Sequence, residues 1–256
     1  MLHKRGPVRF VVLAVVAVGL ALAGQDSAAD PSACPKMVPG NAGSVERCAM
    51  SLEGRAIERY QMKQFDLVID TCDQAVQLAP QRHFCYFMRG SARLETGDPD
   101  GAIEDYNRVI ALKPTSEEAY FNLGQAYSTK HEPDLAIPNY DRAIELNPQV
   151  ASYYYDRGRA YDALEQTERA IRDFDQAILL APQEAQFRFR RGRFYHEYGD
   201  LERAIQDYDQ AIALKPDFAR AYLCRSEAYR TLGDETRAKQ DHDRAVELDP
   251  SLAGPG

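Results

Sequence analysis

Residues 151–184 read ASYYYDRGRAYDALEQTERAIRDFDQAILLAPQE, and segments of the same length and pattern recur on both sides of them. Pro182 belongs to a ladder of Pro80, Pro114, Pro148, Pro182, Pro216 and Pro250, whose successive members stand 34 residues apart without drift. A period of this size predicts a stacked array, in which each unit buries its apolar face against its neighbours and not in one central core. Function in such an array belongs on a surface.

The units are numbered here from residues 49, 83, 117, 151, 185 and 219. Unit position 8 is Gly90, Gly124, Gly158 and Gly192, with Ala56 and Ser226 in the outer units. Position 20 is Ala102, Ala136, Ala170, Ala204 and Ala238, and position 24 is Tyr106, Tyr140, Phe174 and Tyr208 in the inner units. Small residues at 8 and 20 let two helices approach closely, and the aromatic at 24 fills the space beside them. Val76, Ile110, Ile144, Ile178, Ile212 and Val246 hold position 28, with Leu at position 30 of every unit. This helical stripe stops just before the proline.

These residues resemble the tetratricopeptide repeat family, whose signature puts an aromatic, Leu-Gly and Tyr in a first helix, then Ala, an aromatic, Ala and Pro in a second. Unit three carries Tyr120, Leu123, Gly124, Tyr127, Ala136, Tyr140, Ala143 and Pro148 at those places, whereas the five other units have Arg at position 7. The resemblance covers residues 49–252. It implies an all-α fold, a right-handed superhelical solenoid of about six helix-turn-helix repeats: 49–82, 83–116, 117–150, 151–184, 185–218 and 219–252. It also implies an interaction scaffold, without naming the partner.

Ahead of the repeats, His3, Lys4, Arg5 and Arg9 precede an apolar run from Phe10 to Ala23, too short to cross a bilayer comfortably, with Ala21-Leu22-Ala23 as a cleavage signal. The expectation is a signal peptide over 1–23, no stable membrane insertion after its removal, and a protein secreted across an inner membrane into the periplasm. A second cut is possible after Ala29. Cys34 stands too far beyond the apolar run to take a lipid. Residues 24–44, rich in Gly, Pro, Ala and Ser, read as a flexible leader, the array as 45–252 and 253–256 as a tail. Losing the first 23 residues takes the formal charge from −8 to −11, which disfavours nucleic acid and anionic membrane as partners.

An exported chain pairs some of its five cysteines. Four of them, Cys34, Cys48, Cys72 and Cys85, cluster in the leader and first two units. The preferred bonds are Cys34 with Cys48 and Cys72 with Cys85, the alternative being Cys48 with Cys85; Cys224 reads as a lone buried thiol. Without CxxC or paired His, no metal site is expected. Nor is a cofactor, since phosphate loops and nucleophile elbows are absent and His196-Glu197 lacks the second His of a zinc helix. The chain reads as a non-enzyme.

Arg89, Arg157, Arg191 and Arg225 at position 7 are each matched sixteen residues on by Asp105, Asp173, Asp207 and Asp241, while Leu123 is matched by Asn139. The covariation predicts an ion pair across each hairpin, although Arg55 with Thr71 breaks the rule. Gly97-Asp98, Gly199-Asp200 and Gly233-Asp234 predict a helix stop and a cap, with Glu132-Pro133 in the same place of unit three. Pro138, inside a second helix, predicts a slight bend.

The resemblance further implies a binding groove lined by first-helix positions 2, 5, 9, 12 and 13. Here these supply Phe87, Phe121, Tyr155 and Phe189 as an aromatic floor, with Arg159, Arg193, Arg220 and Arg230 towards one end. Such a groove suits a protein or peptide segment, its apolar side chains on the rings and an acidic group at the arginines. The bland alternative is that position 5 only packs against the next unit. A groove for a small ligand such as a glycan or cell-wall fragment is the other functional reading, because rings also stack on sugars. Of the family's chaperone-tail clamp only Asn122 is matched. The last second helix, around Val246 and Leu248, has no following unit and offers an alternative surface.

Overall fold

The computed structural model describes residues 42–253, so the expected signal peptide and most of the expected leader lie outside the described residues. Among the described residues the chain forms twelve α-helices and no strand. They fall into two compact bodies. The first, ending at Asn147, contains α1 (Ala42–Gln61), α2 (Phe65–Leu78), α3 (His83–Thr96), α4 (Pro99–Leu112), α5 (Glu117–Thr129) and α6 (Pro133–Leu146). The second, from Pro148, contains α7 (Ala151–Ala163), α8 (Thr167–Leu180), α9 (Ala185–Glu197), α10 (Leu201–Leu214), α11 (Ala219–Thr231) and α12 (Glu235–Leu248). In each body the two helices of a hairpin pack on one another, and each second helix packs on the next first helix. The fold is therefore an all-α helical repeat array.

Close packing within a hairpin depends on position 8. A methyl group added to Gly124 would lie 2.6 Å from the Tyr140 ring, and one added to Gly158 would lie 2.9 Å from Phe174. Neither separation is tolerable for carbon atoms, so glycine at 8 and a ring at 24 are one structural decision. The outer repeats keep the site filled with Ala56 and Ser226, both fully buried.

Every hairpin turns through a left-handed residue at position 15: Gly97, Gly199 and Gly233, but also Lys63, His131 and Glu165. Glycine enters that conformation without steric cost. The following Asp98, Asp200 and Asp234 cap their helices by accepting from the backbone N–H of Gly101, Arg203 and Arg237 at 2.9–3.0 Å. Glu132, at the equivalent place before α6, makes no such bond. The helix α6 runs on through Pro138 as one element.

One boundary differs from expectation. Helix α1 begins at Ala42, inside the expected leader, because Ser44 and Cys48, one turn apart on one face, are both buried. At the other end α12 has a more polar outer face than the earlier second helices. Position 21 is Ile in the five preceding repeats (Ile69, Ile103, Ile137, Ile171, Ile205) but Lys239 in the last. Its ammonium group donates to Asp243 at 3.1 Å.

Cys72 and Cys85 are free, buried thiols, so the expected bond between them is corrected to a reduced pair within one core cluster. Cys48, in the same cluster, is not among the free thiols, and its expected partner Cys34 lies outside the described residues. Cys224 is free and half-buried.

Candidate partner-binding surface

Position 5 faces the interior. Phe87, Phe121, Tyr155 and Phe189 are all buried, which corrects the expectation of an aromatic groove floor. Each ring meets the position 24 ring of its own hairpin, at 5.8 Å for Phe87 with Tyr106 and Phe121 with Tyr140, and at 6.0 Å for Tyr155 with Phe174 and Phe189 with Tyr208. In the second body Tyr155 also meets Phe187 of the next repeat at 4.8 Å, and Phe189 meets Phe218 at 4.7 Å. Ring-to-ring packing at these distances is core geometry. Side chains one turn apart on a helix share a face only in part, and the second helix covers position 5.

Position 7 behaves as the covariation required. Arg157 grips Asp173 through Nε and Nη2 at 2.8 and 2.7 Å, and Arg191 and Arg225 hold Asp207 and Asp241 in the same two-pronged way. In the first body Arg89 grips Asp105, which also accepts from Arg93. The planar guanidinium fork suits such bidentate pairing.

A second acceptor was missed in the sequence. Nη1 of Arg191 reaches back to Asp175 of the preceding repeat at 2.5 Å, that of Arg225 to Asp209 at 2.5 Å, and Arg89 bonds likewise to Asp73. One guanidinium thus ties three helices together. The signal was present, because Leu123 is flanked sixteen residues away on both sides by Asn107 and Asn139, so both acids are lost where the cation is lost. In the first repeat Arg59 takes over, donating to Thr71 and to the Leu67 carbonyl.

The arginines of position 9 are differently placed. Arg159 and Arg193 have side chains 51% and 41% exposed, and pair along their own helices with Asp156 at 3.3 Å and Glu197 at 2.7 Å. Burial works against the charge of Arg193, yet the bond to Glu197 holds its pKa above the ordinary value. Asp162 on α7 lies within the field of Arg190, Arg193 and Glu197 on α9. Burial first, then Glu197, raise its pKa above the usual carboxylate value in spite of the nearby arginines. Further along, Cys224 on α11 senses Arg193 and Arg220; burial and Glu227 push its thiol up to about 11. Arg220 and Arg230 are exposed. The first helices of the second body therefore share a charged face rich in both arginine and acid.

Two open depressions lie elsewhere in that body, one along α12 at Glu235, Lys239 and Asp243, the other beside Tyr198, Leu201 and Leu232. Among the described residues no cluster of His, Cys, Asp and Glu could hold a metal ion, and no helix is long and apolar enough to cross a membrane.

Models of the tetratricopeptide repeat match residues 117–150, 151–184 and 219–252, and a model described as TPR repeat matches 90–130 and 192–233. More than half of the chain is matched, and the chain belongs to the tetratricopeptide repeat family. Among solved structures it is similar to MamA, at 30% identity over 64% of this chain and 96% of that one, with a TM-score of 0.60. It is also similar to YrrB, described as a TPR protein with an unusual peptide-binding site (20% identity, 71% of this chain, 95% of that one, TM-score 0.58). PilF of Pseudomonas aeruginosa aligns at 14% identity over 80% of this chain and 94% of that one, with a TM-score of 0.70. The last two likenesses concern the fold alone. No curated protein sequence matches the chain.

Proposed function

We propose that this protein is an exported interaction scaffold, acting by binding and not by catalysis, that captures an acidic segment of a partner protein on the charged first-helix face of its second body. The observation that carries this reading is the contrast between two sets of arginines. Those at position 7 are used up in bidentate pairs within the array, whereas Arg159 on α7 and Arg193 on α9 stand about half exposed, with Arg220 and Arg230 exposed on α11. Arginine at an exposed, partly desolvated site recognises carboxylates well. YrrB supports the class of ligand, a peptide, but not the residues. Burial of the position 5 rings removes the stacking platform on which a glycan ligand would have rested. Export rests on the residues ahead of the array, and with it goes a bond from Cys34 to Cys48.

The test is capture of partners by the tagged full chain from the exported fraction, with mass spectrometry of what is retained. Changing Arg159 and Arg193 together to Ala should weaken capture about tenfold while helix content and Tm stay nearly the same. Undiminished capture would place the binding surface elsewhere.

A further inference from the structure

Position 24 of the first repeat departs from the array. Where the inner repeats set Tyr106, Tyr140, Phe174 and Tyr208, the first sets Cys72. The place is no less enclosed for that, since Cys72 is 0% exposed and Cys85 1%. Cys72 belongs to α2 and Cys85 to α3, so the two thiols meet where the second helix of repeat one packs on the first helix of repeat two. Both thiols belong to one buried core cluster with Leu52, Met88 and Tyr106, and Cys85 acts on the Cys72 thiol directly enough to raise its pKa.

Two interacting thiols inside a core are an unusual choice for filling space. A ring at this position fills space, and in Tyr106 and Tyr140 its hydroxyl also pairs with a serine of the first helix. A pair of cysteines adds a covalent option.

We propose that Cys72 and Cys85 form a reversible dithiol–disulfide latch that fastens the first repeat to the second. The oxidant is a small-molecule or protein disulfide. One cysteine, as thiolate, attacks a sulfur of that oxidant, forming a mixed disulfide and releasing the first thiol. The other cysteine then attacks the mixed disulfide, closing the Cys72–Cys85 bond and releasing the second thiol. Two protons leave the protein, two electrons pass to the oxidant, and a dithiol reductant reverses the sequence.

The surroundings set the rate. Interaction with Cys85 and burial together hold the Cys72 thiol well above its ordinary pKa, so the closed array is slow to react. Repeat one is the terminal repeat of the described array, and terminal units open more readily than inner ones. Exchange therefore waits for α1 and α2 to lift away, and closure of the bond afterwards holds them down. The latch does not depend on the charged face of the second body, and its failure would leave that reading untouched.

The experiment treats the full-length reduced protein with oxidised glutathione, quenches with acid, alkylates the remaining thiols in denaturant and maps the peptides. The expected result is a new bond joining the peptides of Cys72 and Cys85, beside the one from Cys34 to Cys48, with Cys224 left alkylatable and Cys72 and Cys85 restored to free thiols by a dithiol reductant. Low urea should speed closure, and the oxidised form should exchange the amide hydrogens of α1 and α2 roughly tenfold more slowly than the reduced form. In a Cys72→Ser variant Cys85 should stop at the mixed disulfide, and Cys224→Ser should change nothing. Stable glutathione adducts on Cys72 or Cys85 in the wild-type protein, a bond from Cys48 to Cys85, or Cys72 and Cys85 still alkylatable after repeated opening in low urea would each overturn the proposal.

Discussion

Repeat three of the first body and repeat five of the second solve one packing problem with opposite chemistry. Repeat five puts Arg191 against Asp207 and Asp175; repeat three puts Leu123 at the same place, with Asn107 and Asn139 sixteen residues away on either side. Leu123 is buried as an ordinary apolar core residue. Asn139 turns instead to the Leu135 carbonyl of its own helix at 2.8 Å. The two versions share helix lengths, the close approach at position 8 and the ring at position 24. The cation is thus not needed to make a hairpin. It fixes which helices are neighbours, since a charge left in that place without its acids is costly while an apolar side chain is not.

The largest expected effect comes from breaking repeat five into a half-made copy of repeat three. Arg191→Leu alone strands the buried Asp207 and should lower unfolding free energy by roughly 3 kcal/mol. Adding Asp175→Asn and Asp207→Asn completes the conversion and should recover most of that loss, as measured by urea unfolding of all three proteins. If the triple variant is no better than the single one, the acids hold the array in some other way.

A smaller effect sharpens what the two repeats have in common. Gly124→Ala drives a methyl group into Tyr140 and should cost about 1–3 kcal/mol. Gly54, inside α1, has no side-chain or distant backbone atom within 4 Å of the added methyl, and Gly54→Ala should add about 0.5–1 kcal/mol. Thermal melts of the two variants, shifted in opposite directions, would establish close approach at position 8 as the constraint.

The smallest effect concerns the caps, where the repeats differ again. The backbone N–H of Arg203, then its side chain, hold the Asp200 carboxyl below its ordinary pKa, and Arg237 does the same for Asp234. A depressed folded-state pKa stabilises fully above the unfolded value and is lost as pH falls through the folded value. Asp234→Ala should therefore lower Tm at neutral pH and match the parent protein once the pH is below both values. Glu132→Ala, at the uncapped helix start of repeat three, should shift Tm less at neutral pH, and a pH series of melts on both variants tests the pair.

Much of this was legible in residue spacing. The proline ladder, small residues at 8 and 20 and the ring at 24 recur because each repeat meets the same neighbours, so local rules written once are written six times. The ion pairs were legible for the same reason, through Leu123 and its asparagines. The caps at Asp98, Asp200 and Asp234 needed only the dipeptide before each helix.

What only the tertiary structure decided was the direction of side chains that share a helical face. Tyr155 and Arg159 stand one turn apart, and the sequence alone placed ring and cation together on a groove. The structure keeps the Arg159 guanidinium over the Tyr155 ring, 6.0 Å from its centroid, but buries that ring against Phe174 and Phe187, so that only the cation reaches solvent, because a neighbouring helix covers one turn of a face and not the next. Periodicity is a property of the chain, and so the sequence by itself determined the repeat. Exposure is a property of what packs against each turn, and only the folded array determined which arginines face a partner.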